Sequence, residues 1–331
     1  MILVTGGTGL VGRHIIAACR AAGLPVTALA RSDTAERELL RFGVVPVRGR
    51  VEDPAVWDQI TGLGAIIHSA AVIAGTRDWS LYQRVNVDGT RLAARRALQL
   101  GIPLIHISSV AVYAEGAGVA PPGSVTESAP FGSRTSGQPY ARSKRLAEDA
   151  VWSAAATGLR AVALRPCVVY GPGDRLFLPA LVAPAARHGY LPVIGRGDQP
   201  LALVHAASVA EAAVLALGLR EGWGRAYNIT NDDAISWREC VAAIAEGVNR
   251  PLRTVSIPAQ LAVGVATMVD GIRGLFGPVF PGFRSAVRFL EGGNPFSSER
   301  ARARLGWRPT VRHRTALVAA VRESRTRHGA A

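Results

Sequence analysis

Tyr140 and Lys144 stand four residues apart in Tyr140-Ala-Arg-Ser-Lys144, and Lys144 is the sole lysine of a chain that otherwise uses 37 arginines for its cations. Arginine holds its proton and carries a wide planar fork, whereas lysine is a compact point charge on a flexible stem. A lone lysine therefore marks a place where an ammonium has work to do. On a helix, positions i and i+4 share a face, so the Lys144 ammonium is expected beside the Tyr140 phenol. A phenol titrates near pH ~10, too high for an efficient base at neutrality. A neighbouring cation is expected to pull that value down and to make Tyr140 a proton donor or acceptor for a carbonyl/alcohol pair.

Thr5-Gly-Gly-Thr-Gly-Leu-Val-Gly12 follows an apolar run and precedes an amphipathic stretch, with Gly6, Gly9 and Gly12 at GxxGxxG spacing. Glycines permit a tight turn and close backbone approach. The helix opening at Leu10, Val11 and Gly12 then offers free N–H groups and a positive dipole end to a pyrophosphate. The second strand ends at Ala30, where a fold specific for NAD would place an acid on the ribose 2′-hydroxyl. Arg31 and Ser32 follow it and suit a 2′-phosphate, so NADP is the expected cofactor. Asp33 could reach back to a ribose, which keeps NAD as the alternative.

Elements must hold these groups in place. Apolar runs near 1–5, 25–30, 44–48, 64–69, 103–108 and 160–166 read as strands, with helical stretches between them. That alternation predicts an α/β fold with a Rossmann-type, doubly wound parallel sheet. The Gly-, Pro-, Ser- and Thr-rich segment from Tyr113 to Pro139 reads as a substrate loop before the Tyr140 helix. The expected division is a dinucleotide-binding domain over 1–170 and a smaller, mainly substrate-binding portion over 171–331, interleaved with the sheet. The apolar stretch from Pro258 to Phe280 is broken by Asp270, Arg273 and several Gly and Pro, so it reads as a helix lying on a membrane or lining a pocket rather than crossing a bilayer.

At 331 residues, 49% hydrophobic and 19% charged, the composition is that of a folded protein with a large core. The chain opens on a buried-strand pattern with no signal-peptide features, giving a cytoplasmic expectation. Cys19, Cys167 and Cys240 are far apart and show no metal-ligand spacing, so neither disulfides nor a metal site is expected. The net charge is +14, and residues 284–331 hold eleven arginines against three glutamates. No nucleic-acid motif accompanies them, so no nucleic-acid partner is expected. This basic C-terminal region could rest on anionic lipid.

Gly6-x-x-Gly9-x-x-Gly12, His68-Ser-Ala-Ala71, Asn86-Val-Asp-Gly-Thr90, Ser108-Ser-Val-Ala-Val-Tyr113, Tyr140-x-x-x-Lys144 and Leu164-Arg-Pro-Cys-Val-Val-Tyr-Gly-Pro-Gly-Asp174 occur in one order over more than half the chain. Together they resemble the extended short-chain dehydrogenase/reductases of the NAD-dependent epimerase/dehydratase superfamily. The resemblance implies a catalytic Ser109, Tyr140 and Lys144, with Ser109 bonding the reacting oxygen and Ser108 as its neighbouring rival. Lys144 would also bond the nicotinamide ribose. Ala70 and Ala71 would let the cofactor approach, Asn86 would be a framework residue, and Pro166 and Val168 would flank the nicotinamide. His68 and His205, which lack motif partners, read as structural. Where many relatives carry Gly-Asp after the third strand, this chain has Gly49-Arg50-Val51-Glu52-Asp53, and Asp53 reads as a helix cap. A homodimer through helices near 78–100 and 139–157 is the family expectation.

Sugar-nucleotide enzymes of this superfamily usually carry an arginine where this chain has Leu201, and acids where it has Ala207 and Ser208. Arg175 or Arg196 could compensate. By contrast, Ala226-Tyr-Asn-Ile-Thr-Asn-Asp-Asp233 with Ser236-Trp237, and the segment from Phe296 to Pro309, resemble the 3β-hydroxysteroid dehydrogenase branch. The resemblance implies an oxidoreductase moving hydride between nicotinamide and a secondary alcohol or ketone of a steroid-like or long-chain 3-oxo compound. The alternatives are a nucleotide-sugar epimerase or dehydratase with tightly held NAD, and a cofactor-sensing protein without turnover.

Overall fold

The computed structural model describes every residue except 74, 75, 77, 115, 116, 118, 119, 136, 137, 232, 277–286, 288, 291, 292 and 329–331, and no side chain of 270–276 or 327–328. The strands are β1 (Ile2–Thr5), β2 (Val26–Ala30), β3 (Val45–Arg48), β4 (Ala65–His68), β5 (Leu104–Ile107), β6 (Ala161–Pro166), β7 (Val168–Tyr170), β8 (Tyr190–Ile194), β9 (Leu203–His205), β10 (Arg225–Ile229) and β11 (Arg253–Ile257). The helices are α1 (Leu10–Ala21), α2 (Asp33–Arg41), α3 (Pro54–Gln59), α4 (Trp79–Tyr82), α5 (Gly89–Leu100), α6 (Pro139–Ala155), α7 (Phe177–His188), α8 (Ala206–Leu217), α9 (Trp237–Val248), α10 (Ala259–Phe276), α11 (Glu299–Leu305) and α12 (His313–His328). A π-helical turn, Gln83–Asp88, joins α4 to α5, and a 3₁₀ turn, Val110–Val112, follows β5.

The main sheet has seven parallel strands in the order β10-β6-β5-β4-β1-β2-β3. Its strands are continuous apolar runs because both faces are covered. Ile2, Val4, Ile67, Ile105 and Val162 pack with Ile15 and Ile16 of α1 and Val209 and Ala213 of α8. Their neighbours Leu3, Ile66, Leu104 and Ala161 pack on the other side with Trp57, Ala93, Ala97 and Val151. Strand order reverses between β1 and β4, and the crevice that forms outside such a switch point is where open α/β sheets bind ligands.

The six strands expected from the alternating pattern are present. The seventh, β10, lies far beyond them in sequence and pairs with β6 from Arg225↔Val162 to Ile229↔Pro166. The second half also builds two small parallel ribbons, β7 with β9 and β8 with β11. A separate core of Tyr170, Leu178, Trp237, Ile244, Leu317 and Val321 sits among them. Among the described residues no helix is long and apolar enough to cross a membrane.

Candidate active site

The glycine turn is shaped by contact. Gly6 has φ +68°, and a Cβ there would lie 2.8 Å from the backbone of Ala70; a Cβ on Gly12 would lie 2.1 Å from the Gly6 carbonyl oxygen. Both positions are therefore closed to any side chain. Helix α1 then begins at Leu10 with Gly9 as N-cap, no side-chain cap and no acid in its first turn. The N–H groups of Leu10, Val11 and Gly12 meet no capping side chain, and an uncapped N-terminus over a glycine cradle fits a dinucleotide pyrophosphate. Ala70 closes the turn from β4 by donating its N–H to Thr5 Oγ1 at 3.2 Å.

At the end of β2, Arg31 is exposed, and Ser32 caps α2 by accepting from Ala35 N–H at 3.2 Å. Asp33 is paired with Arg48, which also reaches Glu36. The Arg48 guanidinium holds the Asp33 carboxyl below its ordinary range. Among the described residues Arg31 has no carboxylate within salt-bridge distance. Asp53 caps α3 through Ala55 N–H at 3.0 Å, as its position suggested.

Tyr140 enters at the first turn of α6, behind Pro139, which suits the first helical position because no N–H is needed there. Its hydroxyl is hydrogen-bonded to Ser109, whose Oγ also accepts from Ala111 N–H at 3.1 Å and so caps the 3₁₀ turn. Ser108, one residue earlier, turns away and donates to Glu148 Oε2 at 2.6 Å. The alternation of side chains at a strand end sends the two serines in different directions. Ser109 faces the tyrosine and Ser108 faces the interior.

Lys144, 4% exposed, lies one turn further along α6 and donates to the main-chain carbonyl of Ile107, the last residue of β5, at 2.7 Å. Burial lowers its pKa to about 8, and only the Glu148 carboxylate opposes that shift. The Tyr140 phenol is moved in the direction opposite to the one expected. Burial pushes it up to about 12, and the Ser109 hydrogen bond works against this without reversing it. Desolvation of a phenolate outweighs a cation already engaged by a carbonyl. In the unliganded protein Tyr140 is accordingly a phenol with its proton in place.

Asn86 holds the neighbouring segments. It sits in the π-helical turn, a kind of irregularity common at functional sites. Its Oδ1 accepts from Val72 N–H at 2.7 Å, and its Nδ2 donates to Val72 O at 2.9 Å and to Ser143 Oγ at 2.8 Å. Ser143 in turn donates to the Tyr140 carbonyl at 2.7 Å. One asparagine thus ties the strap that begins at Ala70 and Ala71 to helix α6. Pro166 ends β6 and Val168 begins β7.

Behind the site lies a buried ion pair that motif reading did not single out. Glu148 is 0% and Arg165 is 3% exposed. Glu148 accepts from Arg165, from Ser108 and from Trp152 Nε1 at 3.1 Å. Arg165 also donates to Tyr113 Oη at 2.9 Å and to Glu127 O at 3.2 Å, and so fastens the loop after β5 to β6. The available signal was spacing: Glu148 follows Lys144 by four residues on the inward face of α6. His68 is a structural histidine, held by Thr5 Oγ1 at 2.9 Å and Thr90 Oγ1 at 3.1 Å. His205 caps α8 by accepting from Ala207 N–H at 3.2 Å. No cluster of metal-ligating side chains occurs among the described residues.

Residues 2–230 match the NAD-dependent epimerase/dehydratase family. The chain is 30% identical over 321 residues to the 4-hydroxy-2-methyl-3-oxo-4-farnesyl-3,4-dihydroquinoline-1-oxide ketoreductase of Stigmatella aurantiaca, covering 96% of this chain and 94% of that protein. It is 32% identical over 282 residues to the 2-alkyl-3-oxoalkanoate reductase of Stenotrophomonas maltophilia, covering 81% and 82% respectively. Among solved structures, UDP-glucose 4-epimerase from Thermotoga maritima superposes with a TM-score of 0.76 at 19% identity over 99% of both chains, a likeness of fold. The match over 2–230, the sheet order and the Ser109, Tyr140 and Lys144 arrangement agree: this chain belongs to the NAD-dependent epimerase/dehydratase family, the extended short-chain dehydrogenase/reductases.

Proposed function

We propose that the protein is a nicotinamide-dependent ketone reductase or alcohol dehydrogenase acting on a lipophilic secondary alcohol/ketone pair, of steroid-like or long-chain 3-oxo type. The observation that carries the reading is the Ser109–Tyr140 hydrogen bond beside a buried Lys144, at the C-terminal end of a parallel sheet. A bound nicotinamide would supply or accept the hydride. Ser109 Oγ and Tyr140 Oη hold the substrate oxygen, and Tyr140, protonated in the free protein, gives its proton to that oxygen during reduction. The Lys144 ammonium, which donates to the Ile107 carbonyl in the unliganded protein, would stabilise the resulting phenolate and help hold the ribose of a bound nicotinamide cofactor.

NADP is the preferred cofactor in this reading, because Arg31 is exposed at the end of β2 while Asp33, the acid expected to favour NAD, is paired with Arg48. A lipophilic substrate is supported by the ketoreductase and alkanoate reductase relatives. It is supported also by the buried, apolar Leu201 at a place where sugar-nucleotide enzymes carry an arginine. The test is an absorbance screen at 340 nm with both cofactors across steroids, long-chain 3-oxo compounds and sugar nucleotides. Turnover of a ketosteroid or 3-oxo compound with NADPH is expected. Conversion of sugar nucleotides without added cofactor, and of nothing else, would refute the reading.

A further inference from the structure

From Thr254 to Val269 the chain carries no charged side chain, although most of this stretch lies at the surface. Helix α10 buries Ala262 and Ala266, one turn apart, with Ile194 and Val287 and against Ile257. At about 100° per residue, Leu261, Val265 and Met268 fall within about 60° of one another on one flank of the helix, roughly 110° round from the buried alanines. They are 57%, 49% and 60% exposed.

The β8–β11 ribbon on which α10 packs carries exposed apolar side chains of its own. Arg253, Val255 and Ile257 alternate onto one side of β11, in register with Tyr190, Pro192 and Ile194 of β8. Ile194 and Ile257 of that side lie under α10, while Tyr190 and Val255 remain exposed. The margin is cationic. Arg187, Arg250 and Arg253 are exposed, and Arg250 lies against Gly189, next to Tyr190.

We propose that this surface docks on an anionic lipid bilayer, with Leu261, Val265 and Met268 entering the interfacial region and Arg187, Arg250 and Arg253 facing the headgroups. An uncharged helix face with a basic margin is the pattern that binds such a surface, through apolar burial and electrostatic attraction together. A second copy of the chain fits less well. Two copies, each of net charge +14, would repel one another, whereas an anionic surface complements that charge. The C-terminal helix α12, although basic, offers no comparable apolar face among its described residues: its large apolar side chains Leu317, Val318 and Val321 are buried.

The full-length protein is sedimented with vesicles of phosphatidylcholine alone and of phosphatidylcholine containing about one-third phosphatidylglycerol. The native protein is expected to sediment with the anionic vesicles and to remain in solution with the neutral ones. The triple variant Leu261→Asp/Val265→Asp/Met268→Asp should lose binding by at least about tenfold, with unchanged melting temperature and oligomeric state. Arg187→Glu/Arg253→Glu should weaken it as well. If the triple variant folds poorly, the single serine substitutions at the same positions carry the comparison, each lowering binding. The proposal is overturned if the native protein ignores anionic vesicles or if the aspartate variant sediments as the native protein does. It is overturned equally if the substitutions change only the oligomeric state, which would make the face a contact between copies.

Discussion

Lys144 donates its ammonium to the carbonyl of Ile107 at 2.7 Å, so the cation is parked at the end of β5 before any ligand arrives. Helix α6 is thereby anchored to the central sheet beside the Ser109 hydroxyl that meets Tyr140. The charge is nevertheless costly there, because burial lowers the lysine pKa from the ordinary 10.5 to about 8.

Lys144→Met should abolish most turnover and yet raise the stability of the unliganded protein. In the folded state the lysine binds its proton less tightly than in the unfolded chain, so holding the charge costs stability at pH 7. Removing it should return about 1–2 kcal/mol after the loss of the Ile107 hydrogen bond. Urea unfolding at pH 7 checks this, and a destabilised Lys144→Met protein would count against a strained cation.

The same shift has a pH signature. Between about pH 8 and 10.5 the unfolded chain holds more protons on Lys144 than the folded one. Its contribution to stability therefore rises with pH through that window and is least favourable below pH 8. For carbonyl reduction, which needs Lys144 charged and Tyr140 protonated, kcat/KM should fall on the alkaline side with an apparent pKa near 8. A profile flat to pH 10 would show that Lys144 charge is not required.

Glu148→Ala leaves the Arg165 guanidinium buried without its carboxylate and strips Ser108 and Trp152 of their acceptor. A loss of about 3–5 kcal/mol is expected, measured as a drop in the urea midpoint. Exchange of Glu148 for Ala at native stability would show that the pair is dispensable.

Asn86→Ala removes three hydrogen bonds that clasp Val72 and Ser143 and should cost about 2–3 kcal/mol. Turnover should fall as well, since the strap after Ala71 and the first turn of α6 lose their shared tie. Native thermal stability and kcat in this variant would remove Asn86 from the framework of the site.

Arg31→Ala should weaken NADPH binding about tenfold and leave NADH binding unchanged, a difference readable by fluorescence titration. Equal effects on the two cofactors would make Arg31 a surface residue only.

Much of this was legible because the local signals agree with one another. The apolar runs of β1, β4 and β5 are continuous since both sheet faces are covered, and Gly6 and Gly12 occupy places that no Cβ fits. Helical spacing put Tyr140 and Lys144 on one side of α6. Spacing does not report solvation, however: the Tyr140 shift runs upward, against the expectation from a neighbouring cation, because burial, which only the folded chain shows, is the larger effect. Strand β10 has no local mark for a related reason. Its partner β6 lies some 60 residues earlier, and no local pattern marks such a pairing. The Glu148–Arg165 pair joins a helix to a strand, so neither motif alone reveals that each charge is the other's partner.

The most direct test of the central claim is the rate of NADPH oxidation at 340 nm by the native protein and by Tyr140→Phe, with the best ketone substrate from the screen. The account predicts steady oxidation by the native protein and a loss of about 10²–10⁴-fold in the variant, which keeps the ring but has no proton to give. Oxidation by Tyr140→Phe at the native rate would contradict it.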